Sequence, residues 1–367
     1  MPRVLLIIGL AVVAVVLAAV YLPSSAATVG GTTISRQSLD SDLSAISSSP
    51  DYACFLSEER QLSGGAAVPV VGAGTSSTAG GVYNSAFVDD WLSSMVVDQV
   101  VVQALSRKDV RLTSADLATG RAVLERRIES VLDDYADNSD GVPSCGGSGT
   151  AVLASLPGWF SDQQAHAETA EALLDARAAG SGLGAAALDA YYTHHAATFD
   201  KLCVSVIVVR TTASAKAAAA AIAGGTSFAT EAAAVSITSN TAANGGVAGC
   251  GMVDGTFLSK PLVALPIDTP SAPFSGEGVY WLAEVTSRTT EALSAVKSSV
   301  VTAIIDAGQA RADRELAAAV KRAAISVDPR YGTSVSGTLT VVRPPSSPPL
   351  TTLLSPAAAQ PPTTTPA

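Results

Sequence analysis

The strongest constraint on this 367-residue chain is a change of hydrophobic period at residue 203. From there Val204-Ser205-Val206-Ile207-Val208-Val209 is β-branched and continuous, which reads as a strand. A second such run, Val279-Tyr280-Trp281-Leu282-Ala283-Glu284-Val285, closes the same region. Between them an Ala-rich helix over 213–223 is followed by Gly224-Gly225 and a helix over 228–235, so a compact α+β module is expected here. Elsewhere the period is helical. Val29 to Ile34 reads as a short hairpin about Gly30-Gly31, and Ser35 then caps a helix carrying Leu39, Leu43 and Ile46. Helices are expected over 85–107, from Leu112-Thr113-Ser114-Ala115-Asp116 through Leu132, from a capping box at Ser161-Asp162-Gln163-Gln164 to about 179, and over 183–199. A long helix over 290–323 precedes a strand over 337–342 and a Pro/Ser/Thr tail at 343–367 that is expected to be disordered.

Composition narrows the chemistry. With 48 % hydrophobic residues the chain can build real cores, but only 15 % are charged, well below the ordinary quarter. Lys and Arg total 22 against 32 Asp and Glu, giving −10 with no basic stripe, so nucleic acid is not an expected partner. The three histidines, His166, His194 and His195, and the four cysteines show no metal-ligand or Cys-x-x-Cys spacing, so neither a metal nor any other cofactor is expected. Gly72-Ala73-Gly74, inside the 64–81 loop, lacks the Lys-Ser/Thr of a phosphate-binding loop and reads as a flexible insert.

Residues 4–22 are an uncharged apolar run behind Arg3, long enough to span a bilayer core, and Ser25-Ala26-Ala27 offers small residues for a signal-peptidase cut. Residues 1–27 therefore read as a signal peptide or an uncleaved membrane anchor, and either way the chain is exported to an oxidising compartment. There an even number of cysteines usually pairs. Of the three connectivities, Cys54–Cys145 and Cys203–Cys250 keep each bond within one expected domain.

Several motifs together resemble the exported SurA/PrsA-type foldases, helical chaperones that carry a parvulin-type peptidyl-prolyl isomerase domain. Val29-Gly30-Gly31-Thr32-Thr33-Ile34-Ser35 resembles that family's opening "V-N-G-x-x-I-S/T", and Val110 to Leu117 resembles its turn into a later chaperone helix. More specific are Ala190-Tyr191-Tyr192-Thr193-His194-His195-Ala196-Ala197-Thr198-Phe199, like "Y-Y-x-x-H-x-x-x-F", and Ile222-Ala223-Gly224-Gly225-Thr226-Ser227-Phe228, like "I-x-x-G-x-x-F". Ser236 with Asn244-Gly245-Gly246, and Leu262-Val263-Ala264-Leu265-Pro266, continue the match.

The resemblance implies an α+β protein in which a mainly helical, discontinuous SurA-N-like chaperone domain (28–185, completed by a return helix and strand at 289–342) surrounds a small parvulin-like domain (186–288) with a mostly antiparallel sheet. It also implies a catalytic centre that this chain lacks. The two strand histidines of active parvulins fall on Val206 and Trp281, the acidic or thiol position on Thr238, and the aspartate after the Gly-Gly turn on Val247. His194 and His195 belong to the lead-in helix and do not substitute for them. The expected function is an extracytoplasmic folding factor binding unfolded exported polypeptides, with a degenerate isomerase domain whose peptide pocket involves Thr238, Phe257, Leu258 and Trp281. A weakly active isomerase and a structural cell-envelope protein are the alternatives.

Overall fold

The computed structural model describes residues 25–71, 83–138, 145, 147–252, 258–335 and 342–343. The candidate membrane segment, most of the 64–81 loop, Phe257 and the tail from 344 onward lie outside the described residues. Among the described residues no helix is long and apolar enough to cross a membrane.

The chain opens with strands β1 (Ser25–Val29) and β2 (Thr32–Ser35), then helices α1 (Arg36–Ser47), α2 (Pro50–Leu62), α3 (Ser85–Ser106), α4 (Ser114–Asn138), α5 (Gly149–Ala154) and α6 (Gly158–Ala178). Next come α7 (Ala185–His195), a 3-10 turn, β3 (Lys201–Val209), α8 (Thr212–Ala223), α9 (Phe228–Val235), α10 (Ser239–Ala243) and β4 (Val247–Met252). It closes with α11 (Ser259–Leu262), β5 (Phe274–Gly276), β6 (Val279–Thr289), α12 (Leu293–Arg322), β7 (Ile325–Val327), β8 (Thr333–Ser334) and β9 (Val342–Arg343). The fold is α+β, mostly helical with small antiparallel sheets.

Two compact units emerge from the internal packing. One comprises residues 1–112, 120–171 and 313–367, as far as described, and the other 113–119 and 172–312. In the helical unit β1 is the middle strand of the sheet β2-β1-β7. Gly30 and Gly31, at φ 56° and 87°, form the tight hairpin turn. A Cβ on Gly30 would lie 2.7 Å from Gln103 Oε1, whose amide nitrogen donates to Val29 O at 2.7 Å. The far edge of β1 takes up β7, with Ala27 opposite Val327 and Val29 opposite Ile325. Residues 25–27, the expected cleavage site, are thus part of a paired strand in which Ala26 and Ala27 are buried.

The strand that returns to the hairpin is β7, which the sequence reading missed. The strand expected over 337–342 is present only as β9, paired with β8, its earlier residues lying outside the described set.

In the other unit the sheet order is β4-β3-β6-β5, all antiparallel. The β-branched run is its central strand, and it is continuous because both faces are covered. Leu202, Val204, Val206 and Val208 pack with Leu262, Ala283 and Val285 on one side. Ile207 and Val209 pack with Leu282 and with Ala215, Ala218, Phe228 and Ala232 of α8 and α9 on the other. Each buried Val, Leu, Ile or Phe among them stabilises the unit by roughly 1.5–3 kcal/mol. Both expected disulfides are present, Cys54–Cys145 with Cα atoms 5.6 Å apart and Cys203–Cys250, a directly opposed pair on β3 and β4, at 3.9 Å.

Candidate functional site

The positions singled out by sequence converge on β3 and β6. In their register Val208 faces Trp281 and Val206 faces Ala283, so Val206 and Trp281 are diagonal neighbours on one face. Val206 is only 3 % exposed within the apolar cluster, and Leu258, Phe274 and Trp281 pack at the cluster's margin. Trp281 is further tied by its indole N–H, which donates to Gly276 O at 3.0 Å. This face of the sheet is filled with hydrocarbon.

Thr238 lies at the edge of β3. Ser236 Oγ accepts the Val208 N–H at 3.1 Å and lies 3.1 Å from Thr238 Oγ1, which in turn is 2.5 Å from Thr241 Oγ1. Ile237 N–H donates to Val208 O, and Val206 N–H donates to Gly246 O, both at 2.8 Å. Gly246 has φ 91°, and a Cβ there would come within 3.1 Å of Val206 O and of the Ala232 methyl. The Asn-Gly-Gly motif is therefore a backbone clasp on β3. Val247 beside it is 58 % exposed.

The helical unit carries cavities that sequence reasoning missed. One, of about 350 Å³, is walled by Tyr52, Phe55 and Trp91 and rimmed by Glu59, Asp98, Arg127, Glu168 and Glu171. Arg127 donates to Glu59 Oε1 at 3.0 and 2.6 Å and to Glu168 Oε2 at 2.9 Å. Burial lowers its pKa, but these carboxylates outweigh that and raise it. Asp98 is pushed up to about 7, first by burial and then by Glu171 and Glu168, while burial and Glu168 raise Glu171. The available signal was a lone carboxylate in Val96-Val97-Asp98-Gln99-Val100-Val101-Val102.

Two further cavities in this unit, about 520 and 410 Å³, share Trp159, which is 50 % exposed and packs edge-on against buried Phe160. The first adds Ile34, Met95 and Val102, and the second Pro157 and Ala45.

His194 and His195, both exposed on α7, line a cavity of about 780 Å³ in the sheet unit, with Tyr191 stacked on His195 at 4.3 Å. Among the described residues, three potential metal ligands lie within 4.8 Å of one another: Cys54, Glu58 and Cys145. The two sulfurs are bonded to each other, which removes them as thiolate ligands.

No protein-family model matches the chain, and no curated protein matches it. Solved structures do. The peptidylprolyl isomerase PrsA of Bacillus cereus overlaps 71 % of this chain and 95 % of its own, at 14 % identity and a TM-score of 0.37. The foldase PrsA of Streptococcus pneumoniae overlaps 64 % and 84 %, at 16 % identity and 0.34. A chain from the two SurA-like chaperones of Campylobacter jejuni overlaps 79 % and 95 %, at 14 % identity and 0.23. These three solved structures are two PrsA proteins and a SurA-like chaperone.

Proposed function

We propose that the chain is an extracytoplasmic folding factor that holds unfolded exported polypeptides, and that its sheet unit is a parvulin-like module without isomerase activity. The holding role is supported by Trp159, a large aromatic side chain half exposed between two open grooves of the helical unit. Trp159 offers apolar area to a passing chain, and the Ser, Gln and Asp residues around it keep the surface soluble. In the sheet unit, Trp281 and Leu258 at the margin of the apolar cluster, with Thr238 at the strand edge and Phe257, are the proposed peptide contacts.

Isomerisation requires lowering a barrier of ~18–20 kcal/mol by interactions that strengthen as the amide twists. Among the described residues that pack around Val206 there is no histidine, which supports an inactive module. The alternative, a weakly active isomerase, rests on the hydroxyls of Ser236, Thr238 and Thr241. A structural cell-envelope role would need neither feature.

The test uses the full chain. It should suppress aggregation of a reduced, unfolded client at stoichiometric amounts, and Trp159→Ala should weaken that several-fold while leaving the melting temperature nearly unchanged. Equal suppression by the variant would remove Trp159 from the role, and no suppression by the native chain would end the folding-factor reading.

A further inference from the structure

Cys54 and Glu58 are one helical turn apart on α2, so the helix alone places a carboxyl beside the first sulfur of a disulfide. Glu58 Oε1 lies 4.0 Å from Cys54 Sγ and accepts the Cys145 N–H at 3.1 Å. Its other oxygen is buried with no partner among the described residues, and the residue as a whole is 3 % exposed. The two sulfurs differ in access: Cys145 is 4 % exposed, whereas Cys54 is half-buried. A buried carboxyl with an unused oxygen at a disulfide is costly unless protonated or supplied with a donor. A Cys145 thiol would be such a donor.

We propose that Cys54–Cys145 is an exchange-competent disulfide, with Cys54 as the sulfur that meets an external thiol and Glu58 as the proton donor and acceptor for buried Cys145. A thiolate attacks Cys54 Sγ, a new S–S bond forms there, and the Cys54–Cys145 bond breaks with its electron pair going to Cys145 Sγ. A buried thiolate is disfavoured, so the protonated Glu58 carboxyl passes its proton to that sulfur and becomes a carboxylate, still holding the Cys145 N–H. In reverse, the carboxylate takes the Cys145 proton, the thiolate closes on Cys54, and the external thiolate leaves. The co-reactant is a thiol, either a small molecule or a cysteine of an unfolded polypeptide.

Burial raises the Glu58 carboxyl, with the Cys145 N–H pulling the other way, which keeps a protonated fraction available. The charged groups of neighbouring elements are committed elsewhere. Glu59 and Glu168 hold Arg127, Arg60 pairs with Asp90, Glu129 accepts the Gly149 N–H, and Asp42 accepts from Trp91 and Gln163. Arg126 on α4 is lowered by burial, and α5 has no titratable side chain.

Cys203–Cys250 lies on β3 and β4, neither of which carries a carboxylate side chain, and serves as the internal control. The full chain is exposed to glutathione or to a single-cysteine unfolded peptide, quenched by alkylation, and each cysteine is read by peptide mass. The rate per reductant thiolate for Cys54–Cys145 should rise as pH falls, the Cys203–Cys250 rate should stay flat, and the first adduct should sit on Cys54. In Glu58→Gln the rise should vanish, with a loss of about tenfold at the acid end. An adduct with glutathione, the peptide or both supports the site and names its source; no adduct, or one on Cys145, overturns it. An unchanged profile in Glu58→Gln also overturns it. Should that variant fail to fold, the native chain decides, since parallel profiles for the two disulfides would sink the proposal.

Discussion

Asp98 stands among valines on α3, and its carboxyl is raised to about 7 by burial and by Glu171 and Glu168. A carboxyl raised on folding contributes stability that is complete below its unfolded pKa, near 4, and is lost as pH climbs through about 7. Asp98→Asn should therefore stabilise the chain by about 1–2 kcal/mol at pH 8 and have little effect near pH 4, as read by urea titration at both values. A stabilisation that is the same at both pH values would refute the assignment. At the same scale, Val206→His with Trp281→His should not create an isomerase, because two imidazoles in that packed face lack partners and cost roughly 1–3 kcal/mol each. An exchange assay on an X-Pro peptide checks both proteins, and native activity equal to that of a histidine-bearing parvulin would contradict the reading. Val206, Thr238 and Trp281 were legible as positions because the resemblance supplies motif places for them, and their role in a peptide pocket is the proposal. Asp98 and Arg127 were not, since their partners come from helices far apart in sequence, and Glu58 was not because the Cys145 N–H it accepts lies 87 residues on.

Among the elements, caps and periods were the readable part. Ser35 Oγ accepts the Ser38 N–H at 2.9 Å, and Thr113 and Asp116 cap each other reciprocally. Thr211 and Ser227 open α8 and α9 in the same way. Helix α6, however, starts at Gly158 behind Pro157, and Ser161 donates back to Gly158 O instead of capping. Helix α2 was missed because Ser49-Pro50 reads equally as a turn. Strand β4 was missed because its two glycines carry no pattern and every residue is exposed. A cut after Ala27 would remove three of the five residues of β1, including two buried alanines and the Ala27 pairings to Ile34 and Val327. Deleting 25–27 should thus cost at least about 2 kcal/mol. If the chain is exported and processed, N-terminal sequencing should find the new terminus at or before Ser25, and a terminus at Thr28 would contradict this.

For the whole molecule, each disulfide lies within one compact unit, so removing one should act on one unit. Cys203→Ala with Cys250→Ala should destabilise the sheet unit by ~2–4 kcal/mol. Hydrogen exchange should then quicken in 172–312, including 172–185 and 289–312, which the packing groups with the sheet. The proposed domain bounds of 28–185, 186–288 and 289–342 instead place those two segments with the helices, so their response decides between the divisions.

Because β1 is the central strand of β2-β1-β7, its pairing has a timetable. A chain made amino end first can zip β1 to β2 early, yet Val29 must wait for Ile325. All of 172–312 emerges in the interval and is free to finish folding first. Until then one side of β1 is an open edge, one that any passing strand could borrow. The late arrival of three residues is what turns that edge from a liability into a seam.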